Sequence, residues 1–277
     1  MSIIVSSLFL LGAFFIVNSG VEEIAMSEQK RKKEKEIQLL DAVVQGDCQK
    51  VSFLLSDFSV KGSGLLCMAI LKKQMDMARL LIKYNIDINA MFDNLWPLQI
   101  AVETENMDAV GILLNANVNV NAVDGYGSTV LHFLPDSASD ICNRLMRAGA
   151  SPAIANLMGL TPLHNAAIKG FNNIIDELCV CKGVAIDAKD CNGRTPLHYA
   201  LLYSHESVAL KLIDFGAKVN TISKLYESPF DIADDNNLEN AKRALRKKGA
   251  YSCQLPYGNI YDNAALKESL MIGRVKS

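Results

Sequence analysis

A short motif recurs along this chain at an almost constant interval, and it limits the fold more than any other feature. The sequence Thr-Pro-Leu-His begins at Thr161 and again at Thr195. Weaker copies bring the occurrences to six, whose first residues are numbers 64, 96, 129, 161, 195 and 228. The steps between them run from 32 to 34 residues. A constant period of this length indicates a stack of similar units, each contacting only its neighbours.

Each period contains the same order of structural signals. Thr161 is a candidate helix N-cap, and Pro162 suits the first helical turn because its missing N–H is not needed there. Gly170 marks the end of this first helix, and a second apolar helix follows, which closes on a glycine such as Gly216. A turn such as residues 190–193 completes the period. The pattern predicts a repeating unit of helix, turn, helix and protruding hairpin.

This unit resembles the ankyrin repeat. The resemblance covers about residues 37–250, and the two full Thr-Pro-Leu-His copies at a constant period make it specific. It implies an all-α ankyrin-repeat solenoid of about seven repeats, in which helix-turn-helix pairs carry β-hairpin fingers. The first unit, residues 37–55, and the last, residues 228–249, are expected to cap the stack.

Two units depart from the repeat pattern. Pro135 falls near the middle of the first helix of the fourth unit, where proline removes a hydrogen bond and clashes with the preceding turn. We therefore expect this helix to be short or to begin late. The second unit lacks the Thr-Pro pair and carries Cys67 at the histidine position. Both units should be locally less stable, although stacking on their neighbours holds them.

Charge and histidine placement argue against several classes of function. Lys and Arg number 28 against 30 for Asp and Glu, a net charge of -2, so no broad positive field attracts a nucleic acid. His132, His164 and His198 all belong to the repeated motif. A hydrogen bond to the capping threonine and nearby backbone gives each of them a sufficient structural role, so we predict no catalytic residue and no small-molecule substrate.

The seven cysteines favour reduced thiols. An odd number scattered along the chain is not typical of a disulfide framework, and reduced thiols are typical of a cytosol-like compartment. Cys179 and Cys181 are separated by one residue rather than two, so together with Cys191 and His198 they do not match a zinc-binding pattern. We predict no metal and no cofactor.

The first 36 residues leave several interpretations open. Residues 3–17 form an uncharged apolar run that suits a secretory signal peptide and is short for a membrane span. The basic cluster of residues 30–35 would hold the following chain in the cytosol if that run stays in a membrane. The cluster also matches a nuclear-localisation pattern weakly. Met26 is a plausible start for a soluble protein, so the preceding residues could instead be an upstream extension.

Four segments follow from these observations. Residues 1–25 are a signal peptide, a membrane anchor or a non-native extension, residues 26–36 a basic linker, and residues 37–250 the ankyrin-repeat domain. Residues 251–277 are expected to form a tail whose short amphipathic helix, 264–272, docks on the last repeat or serves as a short recognition segment, docking being favoured because an exposed apolar stripe is costly. The protein is secreted or membrane-anchored through residues 3–17 if residues 1–19 are native, and cytoplasmic otherwise.

The resemblance also implies a surface for a protein partner. In ankyrin repeats the hairpin tips and the first-helix faces line a concave side where partners bind. Several residues transferred to this side are large and apolar in turns where Gly, Asn or Asp is usual, and exposed aromatic and Arg side chains are enriched at hot spots. The alternative is that the tips pack on neighbouring hairpins. The transferred positions are Phe92, Asp93, Tyr126, Ser128, Leu157, Met158, Ile168, Lys169, Cys191, Arg194, Leu202 and Tyr203.

The sequence therefore predicts a non-enzymatic scaffold that binds a protein partner on its concave ankyrin face. A second hypothesis is an exported or membrane-tethered effector that uses the same stack on a host protein. That hypothesis depends on the apolar run of residues 3–17.

Overall fold

The computed structural model describes residues 29–57 and 64–253. The predictions made for residues 1–25 and for a helix at 264–272 lie outside these residues and stay predictions. The part of the chain that the structure describes contains no helix both long and apolar enough to cross a membrane.

Thirteen α-helices and one 3-10 helix make up the regular structure of the described residues. Helix α1 covers residues 29–45, and the 3-10 helix is Val130–Phe133. Contacts divide the chain into two units, Met1–Phe92 and Asp93–Ser277. The remaining helices are α2 Cys48–Asp57, α3 Leu65–Leu71, α4 Met75–Lys83, α5 Pro97–Glu103, α6 Met107–Asn115, α7 Ser139–Arg147, α8 Pro162–Lys169, α9 Asn172–Cys179, α10 Pro196–Leu202, α11 Glu206–Asp214, α12 Pro229–Asp235 and α13 Glu239–Lys247.

The first unit contains helices α1 to α4. Helix α4 packs against both α2 and α3. Helix α1 buries Leu39, Ala42 and Val43 on one side. Residues 29–36, which were expected to belong to a basic linker, are part of this helix.

In the second unit the helices form two rows. The first helices of successive repeats, α5, the 3-10 helix, α8, α10 and α12, pack side by side, and α7, α9, α11 and α13 form the second row. Ala101, Ala200 and Ala233 are completely buried in the first row, where a small side chain lets neighbouring helices approach closely. The predicted all-α repeat stack is confirmed. Within the described residues the fingers are closed by turn hydrogen bonds rather than by regular strands.

The motif histidine joins two successive repeats. The backbone N–H of Thr161 donates to Nδ1 of His164 at 3.1 Å, so Nδ1 is an acceptor and the ring proton lies on Nε2. Nε2 then donates to the carbonyl of Arg194, 3.2 Å away in the finger that leads into the next repeat. One neutral ring thus caps its own helix and fixes the register of the following repeat.

The capping contact recurs at two other repeats, and the contact to the following finger recurs at one of them. His132 accepts from the N–H of Thr129 at 3.0 Å and donates to the carbonyl of Leu160 at 3.0 Å. His198 accepts from the N–H of Thr195 at 3.1 Å. All three rings are buried. The structural role that the sequence assigned to these histidines is confirmed.

The two departures from the pattern have the expected local effects. The first helix of the fourth repeat is reduced to the four-residue 3-10 helix Val130–Phe133, which ends before Pro135. The short helix predicted there is confirmed. In the second repeat the Cys67 thiol donates to the carbonyl of Ala90 at 3.7 Å. A thiol is a weak donor, so this contact is weaker than the one an imidazole makes.

The last repeat reverses the polarity of this connection. Asp231 stands at the histidine position, and its carboxylate accepts from the Ser228 N–H at 3.1 Å. It also accepts from the backbone N–H of Cys253 at 3.1 Å and from the Ser252 hydroxyl at 2.6 Å. The described beginning of the tail is therefore held on the last repeat by hydrogen bonds.

The stability of the stack should depend on pH through these histidines. Burial lowers the pKa of His132, His164 and His198, that of His198 from its usual 6.5 to about 4, because the protonated ring would be poorly solvated. Below pH 6.5 the unfolded chain therefore binds more protons, and the free energy of unfolding falls as the pH is lowered. For His198 alone the loss is roughly 2 kcal/mol by pH 5.

We expect the urea midpoint of the full chain to fall steadily between about pH 7 and pH 5. A His198→Gln variant should be less stable at neutral pH but should lose less stability over the same range. Equal pH slopes for the variant and the parent chain would contradict this account.

Candidate functional site

The fingers of the second unit share one turn geometry. In the first of them, Oδ1 of Asp124 accepts from the backbone N–H of Tyr126 and of Ser128, both at 2.8 Å. The N–H of Gly127 donates to the carbonyl of Asp124 at 3.0 Å. In the later fingers the side chain of Asn156, Asp190 or Ser223 accepts the equivalent bonds. The four fingers are residues 124–128, 156–160, 190–194 and 223–227.

Backbone hydrogen bonds join each finger to the next. The N–H of Leu157 donates to the carbonyl of Tyr126 at 2.9 Å, and the N–H of Cys191 donates to the carbonyl of Met158 at 2.9 Å. In the third connection the N–H of Lys224 donates to the carbonyl of Asn192 at 2.8 Å. The finger tips therefore lie side by side in one row.

The side chains along this row point to solvent. Tyr126 is 77% exposed, Leu157 75% and Met158 62%. Sequence reasoning missed Leu225, which is 46% exposed and occupies the position of Tyr126 and Met158 in the last finger. The repeat register was sufficient to find it. We call Tyr126, Leu157, Met158 and Leu225 the tip row.

Two of the predicted site residues have internal partners instead. Ser128 is only 7% exposed, and its hydroxyl accepts from the Asn156 side chain at 3.4 Å. The Arg194 guanidinium forms an ion pair with Glu227 at 2.8 Å and lies over the Tyr199 ring. Both side chains hold neighbouring fingers together, so neither is offered to solvent in the way that the tip row is.

The ends of the first helices contribute a second set of predicted residues. Ile168 and Leu202 are half-buried, whereas Lys169 and Tyr203 are exposed. The Tyr203 ring stacks on Tyr199 with the ring centroids 6.3 Å apart, so its position is fixed. An exposed aromatic ring held in one place loses little freedom when it binds a partner.

Two further predicted positions, Phe92 and Asp93, lie on either side of the boundary between the units. Phe92, in the first unit, is half-buried and lies directly against Gly64, where an added Cβ would come within 2.4 Å of the ring. Asp93, in the second unit, is exposed and has a φ of +51°.

The thiols of the chain are mostly unsuited to nucleophilic chemistry. Burial raises the pKa of Cys142 and of Cys179 to about 12, and that of Cys67 to about 11. These thiols are therefore protonated near neutral pH. All seven cysteines fall within the described ranges and are free thiols, Cys191 being exposed. No group of three or more His, Cys, Asp or Glu residues in residues 29–57 and 64–253 could hold a metal ion.

Comparison with known proteins identifies the repeats. A family model described as ankyrin repeats (3 copies) matches residues 39–124 and 131–223. The chain is 34% identical over 131 residues to neurogenic locus notch homolog protein 1 of Homo sapiens, a match covering 47% of this chain and 5% of that protein.

Two further relatives also match a little less than half of this chain. An ankyrin and IPT/TIG repeat-containing protein of Schizosaccharomyces pombe is 26% identical over 129 residues, covering 45% of this chain and 11% of that protein. An ankyrin repeat protein of variola virus is 30% identical over 128 residues, covering 43% of this chain and 23% of that protein. The chain therefore spans less than a quarter of these relatives, and the similarity concerns the repeats.

The close approach of neighbouring fingers can be tested at Gly159. Its φ is +77°, and an added Cβ would lie 2.9 Å from the backbone nitrogen of Cys191 in the next finger. Gly149 has a similar φ of +91° but open space around the same position, so Gly149→Ala is a matched control.

We expect Gly149→Ala to lower the free energy of unfolding by about 1 kcal/mol through backbone strain. Gly159→Ala should lower it by about 2–4 kcal/mol, because a clash with the backbone of the next finger is added to the same strain. Urea unfolding of both variants measures the difference, and equal losses would show that the fingers are not in tight contact.

Proposed function

This chain belongs to the ankyrin-repeat family, and we propose that it is a non-enzymatic binding module that holds a protein partner on the tip row. Ankyrin repeats generally mediate protein–protein interactions. The exposed ends of the first helices, above all Tyr203, extend the proposed surface. The observation that carries the proposal is the exposure of large apolar side chains along a row of rigid turns.

The chemistry of the tip row suits a protein partner. Its four exposed members, Tyr126, Leu157, Met158 and Leu225, are large and mostly apolar. Turns usually carry small polar residues at such positions. Large apolar side chains grouped on a protein surface are a sign of an interaction site. Because the turns are held by hydrogen bonds to their neighbours, binding would cost little ordering entropy.

The histidines support a non-enzymatic role. Three of them cap helices through Nδ1, and Nε2 of His205 lies 2.9 Å from the carbonyl of Ile168. A general base needs a ring nitrogen that can reach a reacting proton. Each of the four imidazoles instead has a partner in the scaffold, which favours binding over catalysis.

A triple variant tests the proposed surface. Tyr126→Ala, Leu157→Ser and Met158→Ser together should leave stability almost unchanged, because these side chains are exposed. We expect recovery of the principal partner in quantitative affinity purification from the native cells to fall at least about tenfold, a loss typical of hot-spot removal.

The matched control changes exposed apolar residues at the ends of the second helices. Val180, after α9, is 69% exposed, and Phe215, after α11, is 41% exposed. A Val180→Ser, Phe215→Ser variant should retain the partner. If the triple variant also retained it, or if both variants lost it equally, the tip row would not be the binding surface.

A further inference from the structure

Helix α1 differs from the other first helices of the described repeats. Its described part has 17 residues, whereas the others have four to eight. The additional turns carry the basic cluster of residues 30–35, whose side chains are mostly exposed. The first repeat thus presents a charged extension that the others lack.

One side of α1 combines cationic and apolar side chains. Residues three or four positions apart lie on the same side of a helix. Ile37, Leu40 and Val44 are 53%, 36% and 40% exposed, while Leu39 and Ala42 on the opposite side are buried. Lys30 and Lys33 continue the exposed side toward the start of the helix. The α1 stripe consists of Lys30, Lys33, Ile37, Leu40 and Val44.

The last described helix, α13, shows what a solvated end looks like. Its exposed cations are Arg243, Arg246, Lys247 and, just after the helix, Lys248. Its apolar residues Ala241 and Leu245 are buried. Terminal repeats of a stack normally need such a polar outer face to remain soluble. Helix α1 also carries a net positive charge but leaves three large aliphatic side chains exposed, so its outer side is suited to contact with something other than water.

We propose that the α1 stripe binds the surface of a membrane that contains anionic lipids. Lysines meet the headgroups in such an interface, and aliphatic side chains reach the boundary of the acyl chains. A nucleic acid would satisfy the cations but offers no apolar layer for Ile37, Leu40 and Val44. The uncharged run of residues 3–17 lies shortly before the helix in sequence and favours the same environment.

The charge of α1 indicates reversible binding. Residues 29–45 carry five cationic and three acidic side chains, the acids being Glu34, Glu36 and Asp41. The excess of two positive charges and three partly exposed aliphatic residues gives a weak attachment that salt reduces. The α1 stripe lies in the first unit, whereas the tip row lies in the second.

Sedimentation of the full chain with vesicles tests the proposal. We expect binding to vesicles of phosphatidylcholine with about 30% phosphatidylserine to exceed binding to phosphatidylcholine alone at least tenfold at low salt. A Lys30→Glu, Lys33→Glu variant should bind the anionic vesicles at least about tenfold more weakly, because each lysine near an anionic surface contributes substantially to the binding free energy. An Ile37→Gln, Leu40→Gln variant should lose about as much through its apolar contacts.

The matched control is Lys247→Glu, Lys248→Glu on α13, which changes the net charge by the same amount and should bind like the parent chain. Circular dichroism confirms that each variant is folded. Equal binding to both vesicle types, or α1 variants that bind like the parent chain, would overturn the proposal. Loss of vesicle binding by the α13 control would also overturn it. So would an Ile37→Gln, Leu40→Gln variant that binds both anionic vesicles and heparin as strongly as the parent chain does. That result would indicate a general site for polyanions.

Discussion

The two-sided hydrogen bonding of a buried imidazole is the interaction on which the repeat stack depends. In His164, Nδ1 accepts from the first residue of its own repeat, and Nε2 donates to a carbonyl of the next. Only the neutral ring can do both, because protonated Nδ1 would face a donor. Burial favours that neutral form by lowering the pKa. At His132 and His164 the start of the helix and the position of the following repeat are therefore set by the same side chain.

The fingers follow from the same stacking constraint. A carbonyl at each of the first three tips accepts an N–H from the next finger, and glycines such as Gly127 and Gly159 allow the backbones to meet. The backbone alone satisfies these contacts, so the side chains at the tips are not needed for the fold. Tyr126, Leu157 and Met158 are therefore available for a partner, which is how a fixed scaffold can carry a variable surface.

Much of this architecture could be predicted from the sequence. The period, the helix order, the capping role of His132, His164 and His198, and the short helix before Pro135 are all local consequences of residue type. The exposure of the candidate surface was predicted less well. The register located the tips, yet Ser128 proved to be buried and Arg194 paired with Glu227, while Leu225 was overlooked.

The sequence by itself determined the repeating unit, because helix caps, proline positions and glycine turns act over a few residues. Only the tertiary structure decided which side chains of that unit remain at the surface. The partner of Arg194 is 33 residues away and that of Ser128 is 28 residues away. Such pairs form only when two repeats stack, and the direction in which each side chain then points is not encoded in its own repeat.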